Sequence, residues 1–253
     1  MLTYRHSGTL GDLIYSLSIV RKATPAKFLV ALHNIENCVS QYGYRPDEVD
    51  TAHRGRLTEQ DFKYLKPLLE RQSYIQDVGT WQQGDEEPTV DLDKFRGTLF
   101  RGFEGNYVQA YHIAFGLPFD SNDLQTTWLE TDPVQAAPII VSRTFRYRCP
   151  NGDKTWRDIT KNADLVNNGI FIGNHEEHDD FIKVTGIDIP YYPVKDFLEL
   201  ANIIAGADLV MANQNFVYSL AMATGRDAIL ETIKIKPLIN NECYFPRSGI
   251  TYL

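Results

Sequence analysis

Cysteine is scarce: Cys38, Cys149 and Cys243 are the only three in 253 residues. An odd number of widely spaced thiols makes neither a disulfide framework nor a CxxC metal knuckle, so they are expected to be buried thiols in a reducing compartment. Long apolar runs are also lacking. None reaches the roughly 18 residues that a membrane span needs, and the N-terminal MLTYRHSGTLGDLIYSL has no uninterrupted apolar block followed by a small-residue cleavage site. The expected location is the cytoplasm, with no membrane span. Positive charge is in deficit, with 25 Lys and Arg against 33 Asp and Glu and a net charge of -8. Because the cations are dispersed, the surface field should repel a phosphate backbone, and nucleic acid is not an expected partner. A few cations inside a cleft can still hold a small phosphorylated ligand, because at contact distance they outweigh a diffuse field. The 17 glycines and 12 prolines are scattered without a period, which excludes collagen-like and low-complexity chains.

What the chain does have is 43% hydrophobic and 23% charged residues, enough for a core in one large domain or two small ones. No repeat divides it, but short β-rich runs alternate with helix-period stretches, the pattern of a layered α/β protein. Strands are expected at Leu2–Arg5, Lys27–Leu32 and Ile75–Val78, with helices over Leu13–Val20, Thr58–Glu70 and Tyr107–Phe115. In the second half, Ile139–Ser142, Gly169–Ile172, Asp208–Ala212 and Ala228–Glu231 are short and apolar and read as buried parallel strands. Phe197, Leu200, Ala201 and Ile204 share one face of a helix over Lys195–Ala205, which Gly206 terminates. The proline-flanked segment Thr131–Pro138 is the linker candidate, giving Rossmann-like lobes at residues 1–133 and 134–253.

Four constellations could carry chemistry. Ser7-Gly8-Thr9-Leu10-Gly11-Asp12 joins a strand to a helix, where small residues let a ligand approach the backbone and helix-start N–H groups face outward. It lacks the Gly-Lys-Ser/Thr end of a Walker A loop, and Asp12 also suits the first turn of a helix for electrostatic reasons alone. Ser142-Arg143, followed by Arg146, Arg148, Lys154 and Trp156, gathers cations after a strand end, as a diphosphate site or as a solvated basic loop. Ala212-Asn213-Gln214-Asn215-Phe216 places amides where a buried strand meets a helix, able to hold sugar hydroxyls or phosphate oxygens, or simply to build turns and caps. His175-Glu176-Glu177-His178-Asp179-Asp180 has its histidines three apart, not four as in HExxH, and Asn174 with Glu177 reads as a capping box. Asp85-Glu86-Glu87 reads as a solvated loop.

In order, the first and third loops resemble the heptosyltransferase-like glycosyltransferases, the family of ADP-heptose:lipopolysaccharide heptosyltransferases. Gly11-Asp12-Leu13-Ile14 fits the family's Gly-Asp loop, with Ser18 at the place of a proline one turn on, and Lys154-Thr155-Trp156 fits its Lys-x-Trp element. Ala212 to Ala223 aligns without a gap to Gly-Asn-Asp-Thr-Gly-Pro-x-His-Leu-Ala-x-Ala, with Gln214, Asn215, Phe216 and Ser219 at the Asp, Thr, Gly and His places. The resemblance implies an α/β, GT-B-like fold in which the parallel sheets of an acceptor-side lobe and a donor-nucleotide lobe face a central cleft. It also implies a metal-independent, inverting glycosyltransferase that needs no cofactor, its partners being a nucleotide sugar and a carbohydrate or other hydroxyl acceptor. Asp12 inherits the role of catalytic base, in a loop shaped by Gly8, Thr9 and Gly11. Ser142, Arg143, Lys154, Asn213, Gln214, Asn215 and Ser219 inherit the donor. The alternative is a non-catalytic GT-B-like protein that binds a nucleotide or sugar.

Overall fold

The computed structural model describes residues 1–32, 57–82, 84–99, 103–149, 151–161, 163–232 and 243–253. Cys38 lies outside them. The chain forms two compact units, Met1–Glu130 with Asp196–Leu198, and Thr131–Lys195 with Glu199–Leu253.

The first unit contains β1 (Leu2–His6), α1 (Leu10–Val20), β2 (Ala26–Ala31), α2 (Glu59–Glu70), β3 (Ile75–Trp81), β4 (Val90–Asp91), α3 (Arg96–Leu99) and α4 (Tyr107–Ala114). Its sheet is parallel, in the order β3-β2-β1-β4. β1 and β2 pair in register from Leu2 with Ala26 to His6 with Val30. α1 is apolar around most of its circumference and buried from Asp12 to Val20, as a helix enclosed by other layers must be. Ser16 and Ser18 tolerate that burial because their hydroxyls donate to the carbonyls of Leu13 and Tyr15, each at 2.7 Å. β4 was not expected. Its two residues are too short for any periodicity, and pairing with Tyr4 and Arg5 of β1 makes it a strand. The Asp85–Glu87 stretch is exposed.

The second unit contains β5 (Ile139–Ser142), α5 (Gly152–Ile159), α6 (Ala163–Asn168), β6 (Gly169–Phe171), α7 (His175–Thr185), α8 (Phe197–Gly206), β7 (Leu209–Asn213), α9 (Phe216–Ala223), β8 (Ala228–Glu231) and β9 (Ile250–Tyr252). All five strands are parallel, in the order β6-β5-β7-β8-β9. Strands buried on both faces must be apolar throughout, which is why their runs were readable. Val141, Trp156, Leu165, Phe171, Phe181, Ile189 and Met211 form one core cluster, with Trp156 and Phe181 edge to face at 5.7 Å. α7 starts with the expected capping box of Asn174 and Glu177. β9 was missed, again for want of length. Neither Cys149 nor Cys243 forms a disulfide. Among the described residues, no helix is long and apolar enough to cross a membrane.

A buried carboxylate organises this unit. Glu231, the last residue of β8, accepts hydrogen bonds from Arg143 Nε at 2.9 Å, Arg143 Nη2 at 3.1 Å, the Trp156 indole N–H at 2.8 Å and the Cys149 backbone N–H at 3.0 Å. Arg143 also pairs with Asp153 at 2.7 Å. Burial opposes the charge of the Arg143 guanidinium, but Glu231 and Asp153 outweigh that cost and raise its pKa. Gly152 makes the arrangement possible, since a Cβ there would run into the Glu231 carboxylate. Removing one partner of a buried pair leaves an uncompensated charge, so Glu231→Ala should cost about 3–5 kcal/mol of stability, read from urea unfolding followed by circular dichroism. A loss within experimental scatter would mean that the pair contributes nothing net.

Candidate functional site

In open parallel sheets, ligands bind outside the strand carboxyl ends at the point where strand order reverses. In the first unit that point lies between β1 and β4, and in the second between β5 and β7. The Ser7–Asp12 loop leaves β1, Ser142-Arg143 ends β5, and Asn213-Gln214-Asn215 ends β7. All three loops singled out in the sequence therefore stand at reversal points.

At the first, Thr9 caps α1, its hydroxyl oxygen accepting from the Asp12 backbone N–H at 3.4 Å. Gly11 lies in the first turn of that helix. The Asp12 carboxylate is largely buried and accepts from Arg96 Nη2 at 2.9 Å. Gly8 lets them meet, because a Cβ there would collide with the Arg96 guanidinium and sit 3.0 Å from Asp12 Oδ2. Beneath this pair lies a buried polar network. The Gly8 N–H donates to His6 Nδ1 at 2.8 Å, so His6 carries its proton on Nε2 and donates it to the Tyr111 hydroxyl at 2.7 Å. Tyr111 in turn donates to the Asp12 backbone carbonyl at 3.0 Å. Burial, reinforced by the Arg96 charge, lowers the His6 pKa to about 3, and burial keeps the Tyr111 hydroxyl well above its ordinary value, so both are neutral. Asp93 accepts from the Ser7 hydroxyl at 2.6 Å and lies 3.8 Å from Arg96 Nε. The result is a carboxylate held in one orientation by a cation and by a rigid loop.

At the second, Asn213 is fully buried. Its Nδ2 donates to the carbonyls of Thr144 at 3.0 Å and Arg146 at 2.6 Å, and its Oδ1 accepts from the Thr144 N–H at 3.0 Å. Asn215 caps α9 by accepting from the Tyr218 N–H at 3.1 Å and donates to the Ser142 hydroxyl at 3.0 Å. Ser219 donates to the Phe216 carbonyl at 2.7 Å. The amides and hydroxyls of this loop thus build its shape, as turn- and cap-forming amides do. Gln214 is different: it is nearly buried, and its Oε1 has no hydrogen-bond partner among the described residues. Arg143 is committed to Glu231 and Asp153, which leaves its buried Nη1 without a hydrogen bond among the described residues. The cations gathered after β5 divide accordingly. Arg148 pairs with Asp180 at 2.7 Å, while Arg146 and Lys154 are exposed. Lys154 is the third residue of α5, beside the Asp153 that Arg143 holds at the strand end. Trp156 of the Lys-x-Trp element faces the core and holds Glu231. Among the described residues no cluster of three or more His, Cys, Asp or Glu could hold a metal ion.

No family model matches the chain, and no curated protein matches it. Solved structures do. A glycosyl transferase family 9 protein from Veillonella parvula is similar with a TM-score of 0.61 and 11% identity, over 99% of this chain and 84% of that one. ADP-heptose lps heptosyltransferase II from E. coli is similar with a TM-score of 0.52 and 10% identity, over 99% and 89%. The fold is GT-B-like, that of heptosyltransferases.

Within this GT-B-like fold, sequence reasoning missed Asp93, Arg96, His6, Tyr111 and Glu231. The Asp93–Arg96 spacing of three was a usable signal for a helix-face pair, but nothing placed it beside Asp12 until β4 paired with β1. His6 offers a test of the network. Its folded pKa lies below the ordinary 6.5, so the unfolded chain binds a proton that the folded chain refuses. Stability should therefore fall as pH drops from 6.5 towards 3, by at most about 1.4 kcal/mol per pH unit. Urea titrations between about pH 7 and pH 4 should show a shallower decline for His6→Gln than for the parent chain. Equal slopes would mean that His6 titrates normally.

Proposed function

We propose that the protein is an inverting glycosyltransferase that needs no metal ion, moving a sugar from a nucleotide-diphosphate donor to a hydroxyl acceptor. What carries this reading is the placement of an oriented carboxylate at one reversal point and a cation-bearing, helix-capped loop at the other, in a chain with a GT-B-like fold. The first unit activates the acceptor and the second binds the donor. Asp12 accepts the acceptor's hydroxyl proton as that oxygen attacks the anomeric carbon. The bond from that carbon to the diphosphate breaks, and the nucleoside diphosphate leaves with the electron pair. Lys154 and the N–H groups that open α9 stabilise the leaving charge. Because two carboxylates already balance Arg143, the exposed Lys154 supplies more of the net positive charge.

A second reading, a binding protein without catalysis, is favoured by one observation: Asn213, Asn215 and Ser219 use their side chains on the loop itself. Incubation with a panel of nucleotide sugars, following nucleoside diphosphate release with and without hydroxyl acceptors, separates the two. Acceptor-dependent release is expected. No release from any donor would favour the binder, and acceptor-independent release would indicate a hydrolase. Asp12→Asn should retain nucleotide affinity while turnover falls about 10²- to 10⁴-fold, and undiminished turnover would eliminate Asp12 as the base. Lys154→Ala should weaken nucleoside diphosphate binding about 10- to 100-fold by calorimetry. Unchanged affinity would remove Lys154 from the donor site.

A further inference from the structure

Between β5 and α5, the sequence Phe145-Arg146-Tyr147-Arg148 alternates aromatic and guanidinium groups. We propose that this segment is a stacking platform for the planar heterocyclic base of the bound nucleotide, with Phe145 as the ring that the base covers. The inference rests on the reading that the second unit binds a nucleotide.

Phe145 is 51% exposed, and among the described Phe, Tyr and Trp residues only Tyr244, at 50%, is comparably open to solvent. The Arg148 guanidinium carbon lies 5.0 Å from the Phe145 ring centroid, and that of Arg146 lies 4.9 Å from the Tyr147 centroid. A cation on one side of a ring draws on its π density, leaving the ring a polarised surface for a flat partner.

The loop that carries these rings is fixed in place. Asn213 Nδ2 binds the carbonyls of Thr144 and Arg146, and Arg148 Nε donates to the Thr144 carbonyl at 2.9 Å. Tyr147 has φ +55°, a left-handed conformation that costs a residue with a side chain and persists where its surroundings hold it. A ring held in advance binds a flat ligand with less loss of conformational entropy.

Position and charge favour a nucleotide base over an apolar peptide. The segment follows directly from the carboxyl end of β5, beside the reversal point. The exposed Arg146 and the nearby Lys154 suit a ligand that carries phosphates next to its flat ring. In other proteins, stacking one base on an aromatic side chain is worth enough that truncation to alanine weakens binding about 5- to 150-fold.

The test is calorimetry on the full chain with ADP, GDP, UDP and CDP, and separately with inorganic pyrophosphate. Because Phe145 is exposed, Phe145→Ala leaves the core intact. It should weaken the tightest-binding nucleotide about 5- to 150-fold and leave pyrophosphate affinity unchanged, while Phe145→Trp keeps nucleotide affinity. Unchanged nucleotide affinity in Phe145→Ala would overturn the platform alone. So would an equal loss for nucleotide and pyrophosphate, which would mean that the loop shapes the phosphate site. Binding of pyrophosphate but of no nucleotide by the parent chain would likewise reject the platform and leave an anion site standing. If the parent chain binds neither, the nucleotide reading of the second unit falls with it.

Discussion

The salt bridge between Arg143 and Glu231 is the constraint on which the second unit depends. The two residues stand 88 positions apart and join the end of β5 to the end of β8, with Trp156 and the Cys149 backbone drawn to the same carboxylate. Taking two charges out of water is costly, and the interaction holds only where geometry is good and the remaining hydrogen-bonding capacity is met. Glu231 satisfies that condition with four hydrogen bonds. Arg143 satisfies it nearly, with one nitrogen left over. The pair thereby fixes where the loop after β5 starts and where α5 begins, which places Lys154 and the Phe145–Arg148 segment beyond the carboxyl end of β5.

The first unit solves a related problem with neutral groups. His6 and Tyr111 are buried without charge and pass hydrogen bonds from the Gly8 backbone to the Asp12 backbone. The charged groups around them are paired, Arg96 with Asp12 and close to Asp93, and Arg5 with Asp91. A carboxylate set this way has a defined direction before any ligand arrives, which is what a positioned proton acceptor requires. Gly8 and Gly152 serve the same physical end in the two units, since each leaves out a Cβ where a charged side chain must pass close to the backbone.

Much of the fold was legible because buried parallel strands must be apolar and helices must show a spaced apolar face. Ile139–Ser142 and Ala228–Glu231 were read to the residue, and the Asn174–Glu177 cap was read from spacing alone. β4 and β9 were not legible, since two or three residues carry no period and become strands only through a partner. In the site, the loops were readable as glycine- and amide-bearing breaks between a strand and a helix. The state of each side chain within them was not. Arg143 read as a cation available to a ligand, and the fold gave it to Glu231.

The sequence by itself determined the alternation of strands and helices, the three loops at strand ends and the deficit of positive charge, because these follow from local patterning and composition. Only the tertiary structure decided which of those loops' side chains are already engaged and which are presented outward. That outcome depends on partners 69 to 88 residues away, as Asn213 is from Thr144 and Glu231 from Arg143. Desolvation sets the outcome: a buried polar group must find a partner wherever the chain brings one, and local sequence does not record the address.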